Sequence, residues 1–230
     1  MNGTDTGRPV TVLIVDDQPL VRRGLALILA PEPDIEVVGE AGDGEEAVAL
    51  AHRLRPDVVV MDIRMPVLDG VAATARLTQE VPDCRVLALS TFDMDEYVVA
   101  ALRAGACGFL PKDVSPEDLV AGVRVVHGGE AAVAPRLMTR LISTFVRAPQ
   151  HPAVSSMPRD DLTPRETEVW RLIATGRDNA EIAEVMGVSG STVKNHITSL
   201  FGKLKVRDRA QAVIAAYETG AVEVGIGRGA

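Results

Sequence analysis

Residues suited to magnesium-assisted phosphoryl transfer follow four short apolar runs in the first half of the chain. Asp16 and Asp17 follow run 10–15, Asp62 follows 58–61, Ser90 follows 86–89 and Lys112 follows 108–111. Three converging carboxylates repel one another, so a cation or protons must offset their charge. Magnesium prefers such oxygen ligands together with a substrate phosphate. Asp62 is the best-placed nucleophile, because an aspartate oxygen can accept a phosphoryl group.

Each of these residues also has a simpler interpretation. Asp16 and Asp17 could cap the following helix, and Lys112 could be a surface residue. The coincidence of compatible groups after four strands favours the reactive site. In that site Lys112 pairs with phosphate oxygens and the Ser90 hydroxyl donates a hydrogen bond to another.

The elements that position these residues alternate along the chain. A fifth apolar run, 35–38, carries no reactive group, and segments with helical spacing separate the runs. This alternation predicts an α/β fold, a doubly wound five-stranded parallel sheet with helices on both faces. The β-branched run 58–60 indicates a central strand that is buried on both faces. Ligands of such sheets lie outside the carboxyl ends of the strands, near the point where strand order reverses. The predicted helices cover 19–30, 43–54, 69–80, 94–104 and 115–127.

Composition indicates two domains of opposite charge. Residues 1–127 hold 11 Lys and Arg against 21 Asp and Glu, a net charge of −10, whereas 128–230 hold 13 against 11, a net charge of +2. Aromatic residues are only 3% of the 230-residue chain, which argues against a base-stacking platform for single-stranded nucleic acid. Two distant cysteines, Cys84 and Cys107, indicate core positions in a reducing compartment. With neither a leader nor a membrane span apparent, we expect a cytoplasmic protein.

The second half predicts a linker and a small helical domain. We assign 9–127 to the first domain, 128–160 to a linker containing a helix at 135–147, and 161–224 to the second domain. Three prolines within 148–160 cannot continue a helix or a central strand. The sequence Thr163-Pro164-Arg165-Glu166 is typical of a capping box at a helix start. Further helices are predicted from 179 to Gly187, over 189–204 and over 208–219.

The predicted helix 189–204 has one apolar side and one polar side. At 100° per residue, Val193, Ile197, Leu200 and Leu204 form the apolar side, and Ser191, Asn195, Thr198 and Gly202 lie opposite. Lys194 and Lys205 flank the polar side. Such a face suits the major groove of double-stranded DNA, where asparagine can read adenine and lysine can contact guanine or phosphate. A solvated helix face is the alternative.

Motifs in the first half closely resemble bacterial response-regulator receiver domains. They are Val15-Asp16-Asp17, Asp62-Ile63-Arg64-Met65-Pro66 with Asp69-Gly70, Leu89-Ser90-Thr91-Phe92, and residues 105–112 ending in Pro111-Lys112. The resemblance implies a flavodoxin-like sheet of order 2-1-3-4-5 and Asp62 as the phosphoacceptor. It implies Mg²⁺ ligated by Asp17, Asp62 and the backbone carbonyl of Arg64, with Asp16 helping to hold it through water. Ser90 and Lys112 would then bind the phosphoryl group, and Phe109 would be an aromatic switch that lacks a hydroxyl.

The second domain resembles the NarL/LuxR (FixJ-type) DNA-binding domain. Leu162-Thr163-Pro164-Arg165-Glu166, Gly187-Val188 and residues 191–196 carry this resemblance, which spans 161–217. It implies a helix-turn-helix in which the last helix, predicted to begin at Asp208 and end at Thr219, mediates dimer contact. Trp170 and His196 are interpreted as packing residues. The residues assigned to DNA binding are Ser191, Thr192, Lys194, Asn195, Thr198 and Lys205.

Together these features favour a phosphorylation-activated transcriptional regulator of a bacterial two-component system. A sensor histidine kinase would phosphorylate Asp62, and the chain would then bind DNA as a homodimer, with no membrane association. The only enzymatic steps expected are phosphorylation and dephosphorylation of Asp62 itself. Two alternatives remain: a magnesium-dependent phosphatase or phosphotransferase, and a DNA-binding regulator that does not depend on phosphorylation. The first alternative lacks a general acid at position 64, where Arg64 stands.

Overall fold

The computed structural model describes residues 8–90, 95–129, 132–133, 161–219 and 221. Its first unit, Met1–Val133, alternates strands and helices as predicted, and Ala134–Ala230 forms the second unit. The strands are β1 Val10–Val15, β2 Ile35–Ala41, β3 Val58–Asp62, β4 Arg85–Ser90, β5 Gly108–Pro111 and β6 Ala132–Val133. The helices are α1 Pro19–Leu29, α2 Gly44–Leu54, α3 Gly70–Glu80, α4 Asp95–Arg103 and α5 Pro116–His127.

The sheet confirms the predicted parallel order and extends it by one strand. The observed order is β2-β1-β3-β4-β5-β6, and every neighbouring pair is parallel. The sixth strand comes from residues that the sequence placed in the linker, since Ala132 and Val133 pair with Gly108 and Phe109. Two residues are too few to give a strand pattern, so the sequence offers no signal for β6. The predicted helix at 135–147 lies outside the described residues.

The register of the central strands brings their carboxyl ends to one edge of the sheet. All five residues of β3 are buried, as predicted for the central strand. Asp62 lies beside Leu89 in β4, and Ser90 lies beside Pro111 in β5. Strand β2 carries no reactive group and lies at the edge of the sheet, on the far side of β1. The strand order reverses between β1 and β3, which is where ligands of this fold bind.

A glycine allows the segment after β3 to return against the site. The Gly70 amide donates a hydrogen bond to the Ile63 carbonyl at 2.8 Å, and Asp69 caps α3 by accepting from the Ala72 amide. A Cβ atom at position 70 would lie 2.0 Å from the Asp62 carbonyl oxygen. Because such a contact is impossible without a backbone shift, glycine is needed here for the close approach.

The second unit contains four described helices, α6 Pro164–Ala174, α7 Asn179–Met186, α8 Gly190–Leu204 and α9 Arg209–Glu218. The predicted capping box at Thr163 and Glu166 is present, and Gly187 ends α7 with φ 64°. Trp170 is buried and donates its indole N–H to the Ala212 carbonyl at 2.8 Å, which confirms a packing role. Within the described ranges, none of the helices combines the length and the apolar character that crossing a bilayer requires.

The predicted bounds of the last helix are corrected at both ends. Because α9 covers Arg209–Glu218, Asp208 and Thr219 lie just outside it. Asp208 is the N-cap residue: its backbone is extended, and its carboxylate accepts from the Gln211 amide at 2.9 Å. Thr219 is the C-cap residue, and its amide and hydroxyl donate to the Ala215 carbonyl at 3.0 and 2.7 Å. Both residues therefore terminate the helix, whereas the sequence prediction counted them as helical.

The same difference recurs at three helix starts of the first unit. The predicted helices 43–54, 69–80 and 115–127 each begin one residue too early. In each case the first residue is an N-cap, and Asp43, Asp69 or Ser115 accepts from the amide three residues later. A side chain that replaces the missing backbone acceptor requires non-helical backbone at its own position, so the helix starts after it.

Candidate functional site

Three aspartates meet at the carboxyl edge of the sheet. Carboxylate oxygens of Asp16, Asp17 and Asp62 all lie within 4.8 Å of one another. Asp62 ends β3, and the other two directly follow β1. Asp16 and Asp62 are 1% and 5% exposed, whereas Asp17 is open to solvent. The predicted convergence of the carboxylates is therefore present, with the Asp17 carboxylate exposed to solvent and the other two buried.

Lys112 inserts its ammonium group between the two buried carboxylates. Its Nζ lies 2.5 Å from Asp16 Oδ2 and 2.8 Å from Asp62 Oδ2. Its backbone amide donates to the Ser90 carbonyl at 2.8 Å, which fixes the start of the segment after β5. Only 10% of the Lys112 side chain is exposed, so the alternative interpretation as a surface lysine is wrong.

Burial and ion pairing shift the pKa values of Asp62 and Lys112 in opposite directions. Burial raises the pKa of Asp62 above the usual carboxyl range, while the hydrogen bond from Lys112 acts against this effect and the charge of Asp16 adds to it. For Lys112, burial favours loss of the proton, but the hydrogen bonds to Asp16 and Asp62 outweigh it and raise its pKa. The ammonium group of Lys112 therefore stays charged, and burial is the main cause that opposes ionisation of Asp62.

The turn after β1 does not use its aspartates to cap α1. The N-cap residue of α1 is Gln18, which makes no side-chain capping bond. Asp16 Oδ1 instead accepts from the Gln18 amide at 2.9 Å, and Arg22 donates from Nη1 to the Asp16 carbonyl at 2.5 Å. Asp17 is thereby left facing the cleft. The helix-capping alternative for Asp16 and Asp17 is wrong.

A cleft of about 520 Å³ opens over Asp62. The predicted residues Asp17, Asp62, Arg64 and Lys112 line it. The Arg64 amide donates to Asp62 Oδ1 at 3.4 Å, so the backbone of the predicted carbonyl ligand follows the acceptor closely. Sequence reasoning missed several of the other lining residues, because no strand-end rule points to the loop after β3 or to α4. The remaining lining residues are Gln18, Ile63, Met65, Pro66, Asp69, Val71 and Tyr97.

The two predicted switch residues lie on neighbouring strands behind the cleft. Ser90, at the end of β4, is 5% exposed. Phe109 is 1% exposed and lies in β5 between Ala88 of β4 and Val133 of β6 in the register. The Phe109 ring is therefore packed inside the unit. Neither residue is among those that line the cleft.

The donor set of the cluster fits a divalent magnesium ion. Its three side chains offer only oxygen atoms, and the exposed carboxylate of Asp17 leaves room for retained water. The ammonium of Lys112 offsets one of the three negative charges, so the cluster keeps a formal charge of −2. That remaining charge matches a divalent cation.

The predicted polar side of the DNA-binding helix is exposed on α8. Val193, Leu200 and Leu204 are buried, and Ile197 is half-buried. On the opposite side, Ser191, Asn195 and Thr198 are exposed, and Thr192 is half-buried. The flanking Lys194 and Lys205 are also exposed, and Lys205 is the C-cap residue just after the helix. His196, interpreted as a packing residue, is also half-buried. The division of the helix into a core side and a free side is therefore present in the structure.

Glu166 of α6 anchors the core-facing flank of α8. Its carboxylate accepts from Ser199 Oγ at 2.6 Å and from Lys203 Nζ at 2.7 Å, and also from the Thr163 amide and hydroxyl. Bonds from Lys203, Ser199 and Thr163 lower the pKa of Glu166 to about 2. Lys203 is thus used inside the unit, unlike Lys194 and Lys205. Sequence reasoning missed this contact because it joins residues of two different helices.

The helix assigned to dimer contact is largely used within its own unit. The buried residues of α9 are Ala210, Ala212, Val213, Ile214, Ala215 and Ala216. Tyr217 is half-buried and donates to the Ala174 carbonyl at 3.1 Å. Of the other residues of α9, Arg209 and Gln211 are half-buried and Glu218 is exposed, and dimer contact through this helix stays a prediction.

The two ends of the segment assigned to dimer contact are also used in capping. Asp208 is 1% exposed, and its carboxylate accepts from the Gln211 amide of its own helix, so its assignment to a dimer surface stays a prediction. Thr219 is half-buried, and its hydroxyl is bonded to the Ala215 carbonyl of its own helix. Both end residues therefore make contacts within their own helix.

Comparison with known proteins agrees with both halves of this description. Residues 12–124 match the family "Response regulator receiver domain", and residues 160–216 match "Bacterial regulatory proteins, luxR family". The chain belongs to the response regulators that join a receiver domain to a LuxR-type DNA-binding domain. It is accordingly a DNA-binding transcriptional regulator of the two-component type, which confirms the class of protein predicted from the sequence.

Individual relatives align with this chain over nearly their own whole length. The chain is 38% identical to the transcriptional regulatory protein DegU of Brevibacillus brevis, covering 97% of this chain and 100% of that protein. It is 38% identical to LiaR of Bacillus subtilis (strain 168), covering 90% and 97%. The solved response regulator ChrA, from a heme-sensing two-component system, is 33% identical with a TM-score of 0.52, covering 93% and 99%. A LuxR-family response regulator from Aurantimonas sp. SI85-9A1 is 30% identical with a TM-score of 0.57, covering 60% and 99%.

Proposed function

We propose that a sensor histidine kinase transfers a phosphoryl group to Asp62 and that this transfer controls DNA binding by the second unit. The observation that carries the proposal is the position of Asp62. It ends the central strand, lies beside two further aspartates, and pairs with a buried lysine from the end of β5. Its pKa is raised by burial, as is common for groups held ready for reaction.

The transfer exchanges one phosphorus bond for another. A carboxylate oxygen of Asp62 attacks the phosphorus of a phosphohistidine, the P–N bond breaks, and the imidazole leaves with the electron pair. Asp16, Asp17 and Asp62, with the Arg64 carbonyl, are the residues that would hold Mg²⁺. When bound, this cation offsets the charge that develops on the phosphoryl oxygens.

The chain's own cation completes the charge balance. In the structure Lys112 divides its ammonium between Asp16 and Asp62 at 2.5 and 2.8 Å. After transfer, the Asp62 side chain is an acyl phosphate. Its carboxyl group no longer carries a negative charge, and the negative charge lies on the phosphoryl oxygens. Lys112 is then attracted to those oxygens, and the Ser90 hydroxyl is the nearby donor assigned to another of them.

Movement of Lys112 and Ser90 would also change the packing of the sheet behind the cleft. Lys112 and Ser90 are joined through the Lys112 amide, and Phe109 lies three residues before Lys112 in β5. We propose that Phe109 changes its packing with the position of Lys112 and Ser90, and that the phosphorylated state favours a homodimer. The proposed function includes no turnover of small phosphoesters, since the cleft presents Arg64 rather than an acid two residues after Asp62.

On DNA, the free side of α8 would face the major groove. We propose that Asn195, Thr198 and Lys194 face the bases. Ser191, Thr192 and Lys205 are proposed to contact the phosphate backbone of the DNA. All but Thr192 are exposed. Because Lys203 is bound to Glu166, we expect it to contribute less to phosphate binding than Lys205 does.

The test uses the full chain and a phosphodonor such as phosphoramidate. DNA retained by the phosphorylated protein is first sequenced to obtain a binding site. The affinity for that site is then measured for wild type and Asp62→Asn, with and without the donor. We expect the donor to raise affinity only in wild type. Equal gains in Asp62→Asn would show that activation does not pass through Asp62.

A further inference from the structure

An aromatic residue of α4 forms part of the cleft wall and has no role in the transfer described above. Tyr97 is the third residue of α4, and it lines the same cleft as Asp17, Asp62, Arg64 and Lys112. Its side chain is half-buried. The chain has 2 tyrosines in total. Since the other one, Tyr217, lies in the second unit, Tyr97 is the only phenol of the receiver.

The two tyrosines are held in different ways. Tyr217 is tied to the backbone of its own unit through its hydrogen bond to Ala174. For Tyr97, the described parts of the chain supply no hydrogen-bond partner to the hydroxyl. Half-buried tyrosines commonly satisfy their hydroxyl with protein or water while the ring packs. The place of Tyr97 in the cleft wall follows from its position as the third residue of α4.

Helix α4 is held in place by its packing. Val98, Val99, Ala101 and Leu102 of α4 are buried, and the helix packs against α3 and β5. The other apolar side chains lining the cleft, Met65, Pro66 and Val71 among them, come from the segment after β3 and the start of α3. Tyr97 is thus the one lining residue that α4 contributes among the described residues.

An apolar ring in this place bears on how a phosphoryl group is lost. In hydrolysis of an acyl phosphate, a water oxygen attacks phosphorus and the P–O bond to the carboxylate breaks. The electron pair returns to Asp62, and the proton of the attacking water passes to solvent. The rate depends on how readily water reaches the phosphorus, and a rigid side chain in the cleft limits that access.

We propose that the ring of Tyr97 shields the phosphoryl group on Asp62 from water and thereby sets the lifetime of the phosphorylated state. This rests on the proposed function, namely phosphorylation of Asp62. Tyr97 is a shielding residue in this scheme and donates no proton. The ring, and not the hydroxyl, carries the effect.

The experiment compares loss of the phosphoryl group among variants of the full chain. Each protein is phosphorylated with phosphoramidate in the presence of Mg²⁺, the donor is removed, and the phosphorylated fraction is followed on a phosphate-affinity gel. We expect Tyr97→Ala to lose the group about fivefold faster than wild type, an order-of-magnitude figure for partial loss of water exclusion. Tyr97→Leu should fall between the two, and Tyr97→Phe should match wild type. Arg103→Ala, an exposed position of α4 away from the cleft, is the matched control.

Two results would overturn the shielding role. One is a wild-type rate in both Tyr97→Ala and Tyr97→Leu, and the other is a rate in Tyr97→Phe equal to that in Tyr97→Ala. Unfolding midpoints from circular dichroism identify a variant that is merely unstable, and Tyr97→Leu then decides the matter if Tyr97→Ala does not fold. Asp62→Asn in the same assay separates the two hypotheses. If it takes up phosphoryl groups, the proposed function fails; if it does not, a wild-type rate in the Tyr97 variants rejects shielding alone.

Discussion

Each unit of the molecule contains a buried carboxylate with a lysine partner, Asp62 in the receiver and Glu166 in the DNA-binding unit, but their surroundings differ in kind. In the receiver, one ammonium from Lys112 serves two buried carboxylates, and the pKa of Asp62 is raised. In the DNA-binding unit, one carboxylate from Glu166 receives four donors, and its pKa is lowered to about 2. Asp62 has few hydrogen-bond donors around it and is suited to reaction. Glu166 has all its acceptor positions in use and is suited to holding two helices together.

The largest effect that we expect is on stability, from removing the saturated carboxylate. Glu166→Ala loses the capping box and leaves Ser199 and Lys203 without their acceptor. A third of the Lys203 side chain is exposed, so its ammonium can regain water in the variant. We therefore expect the free energy of unfolding to fall by about 2 kcal/mol. Trp170 is the only tryptophan, so its fluorescence in urea reports this unit. Arg165→Ala, which breaks the exposed pair with Glu168, is the control and should cost under about 0.5 kcal/mol. Equal losses in both variants would contradict a special role for Glu166.

A second expectation concerns pH and the same carboxylate. A lowered pKa stabilises the fold above the ordinary carboxyl value of 4.5, and this stability is lost as the pH falls toward about 2. Glu166→Gln removes this contribution. We expect the gap in stability between wild type and Glu166→Gln to shrink as the pH falls through that window, measured by Trp170 fluorescence. A gap that stays constant from neutral pH down to this range would contradict the assignment.

A smaller effect should follow from replacing the shared cation of the receiver. Lys112→Met leaves Asp16 and Asp62 without their ammonium and changes the formal charge of the aspartate cluster from −2 to −3. Without divalent cations we expect the free energy of unfolding to fall by about 1 kcal/mol, less than for a fully enclosed pair because Asp62 lines a cleft that water can enter. The shift of the receiver's thermal midpoint on adding Mg²⁺ should be larger than in wild type. A variant that no longer responds to Mg²⁺ would show that Lys112 supports the site and does not merely balance its charge.

The smallest effect concerns backbone strain beside the reactive cluster. Val67, in the loop after Asp62, has φ 67°, a conformation that is costly for a β-branched residue. The DNA-binding unit uses Gly187 and Lys205 in this conformation, which are less crowded at Cβ. Val67→Gly should stabilise the receiver by about 0.5 kcal/mol, since relief of strain outweighs the added freedom of the unfolded chain. Thermal unfolding by circular dichroism measures it, and a clear loss of stability would indicate that the Val67 side chain makes a contact of its own.

The sequence was most informative where one geometric rule connects distant residues. Asp16, Asp17, Asp62 and Lys112 could be grouped because parallel strands align their carboxyl ends at one edge. The polar side of α8 followed from helical periodicity in the same manner. Neither rule extends to Tyr97, whose approach to the cleft depends on how α4 packs on its neighbours.

Contacts between elements and the ends of helices were less accessible from the sequence. Helical periodicity does not reveal that Glu166 meets Lys203, or that two residues after α5 add a strand to the sheet. It also cannot distinguish the last helical residue from the cap beside it, which is why Asp208 and Thr219 were counted within α9. Each of these features depends on the backbone conformation or the packing of one residue, which a periodic pattern does not specify.

We expect Asp62 to be reactive and Glu166 to be structural, and phosphoryl uptake tests this difference most directly. Wild type, Asp62→Asn and Glu166→Gln are incubated with phosphoramidate and Mg²⁺, and intact masses are recorded by mass spectrometry. We expect one phosphoryl group per chain in wild type and in Glu166→Gln, and none in Asp62→Asn. Uptake by Asp62→Asn, or loss of uptake in Glu166→Gln, would contradict the distinction between the two buried charges.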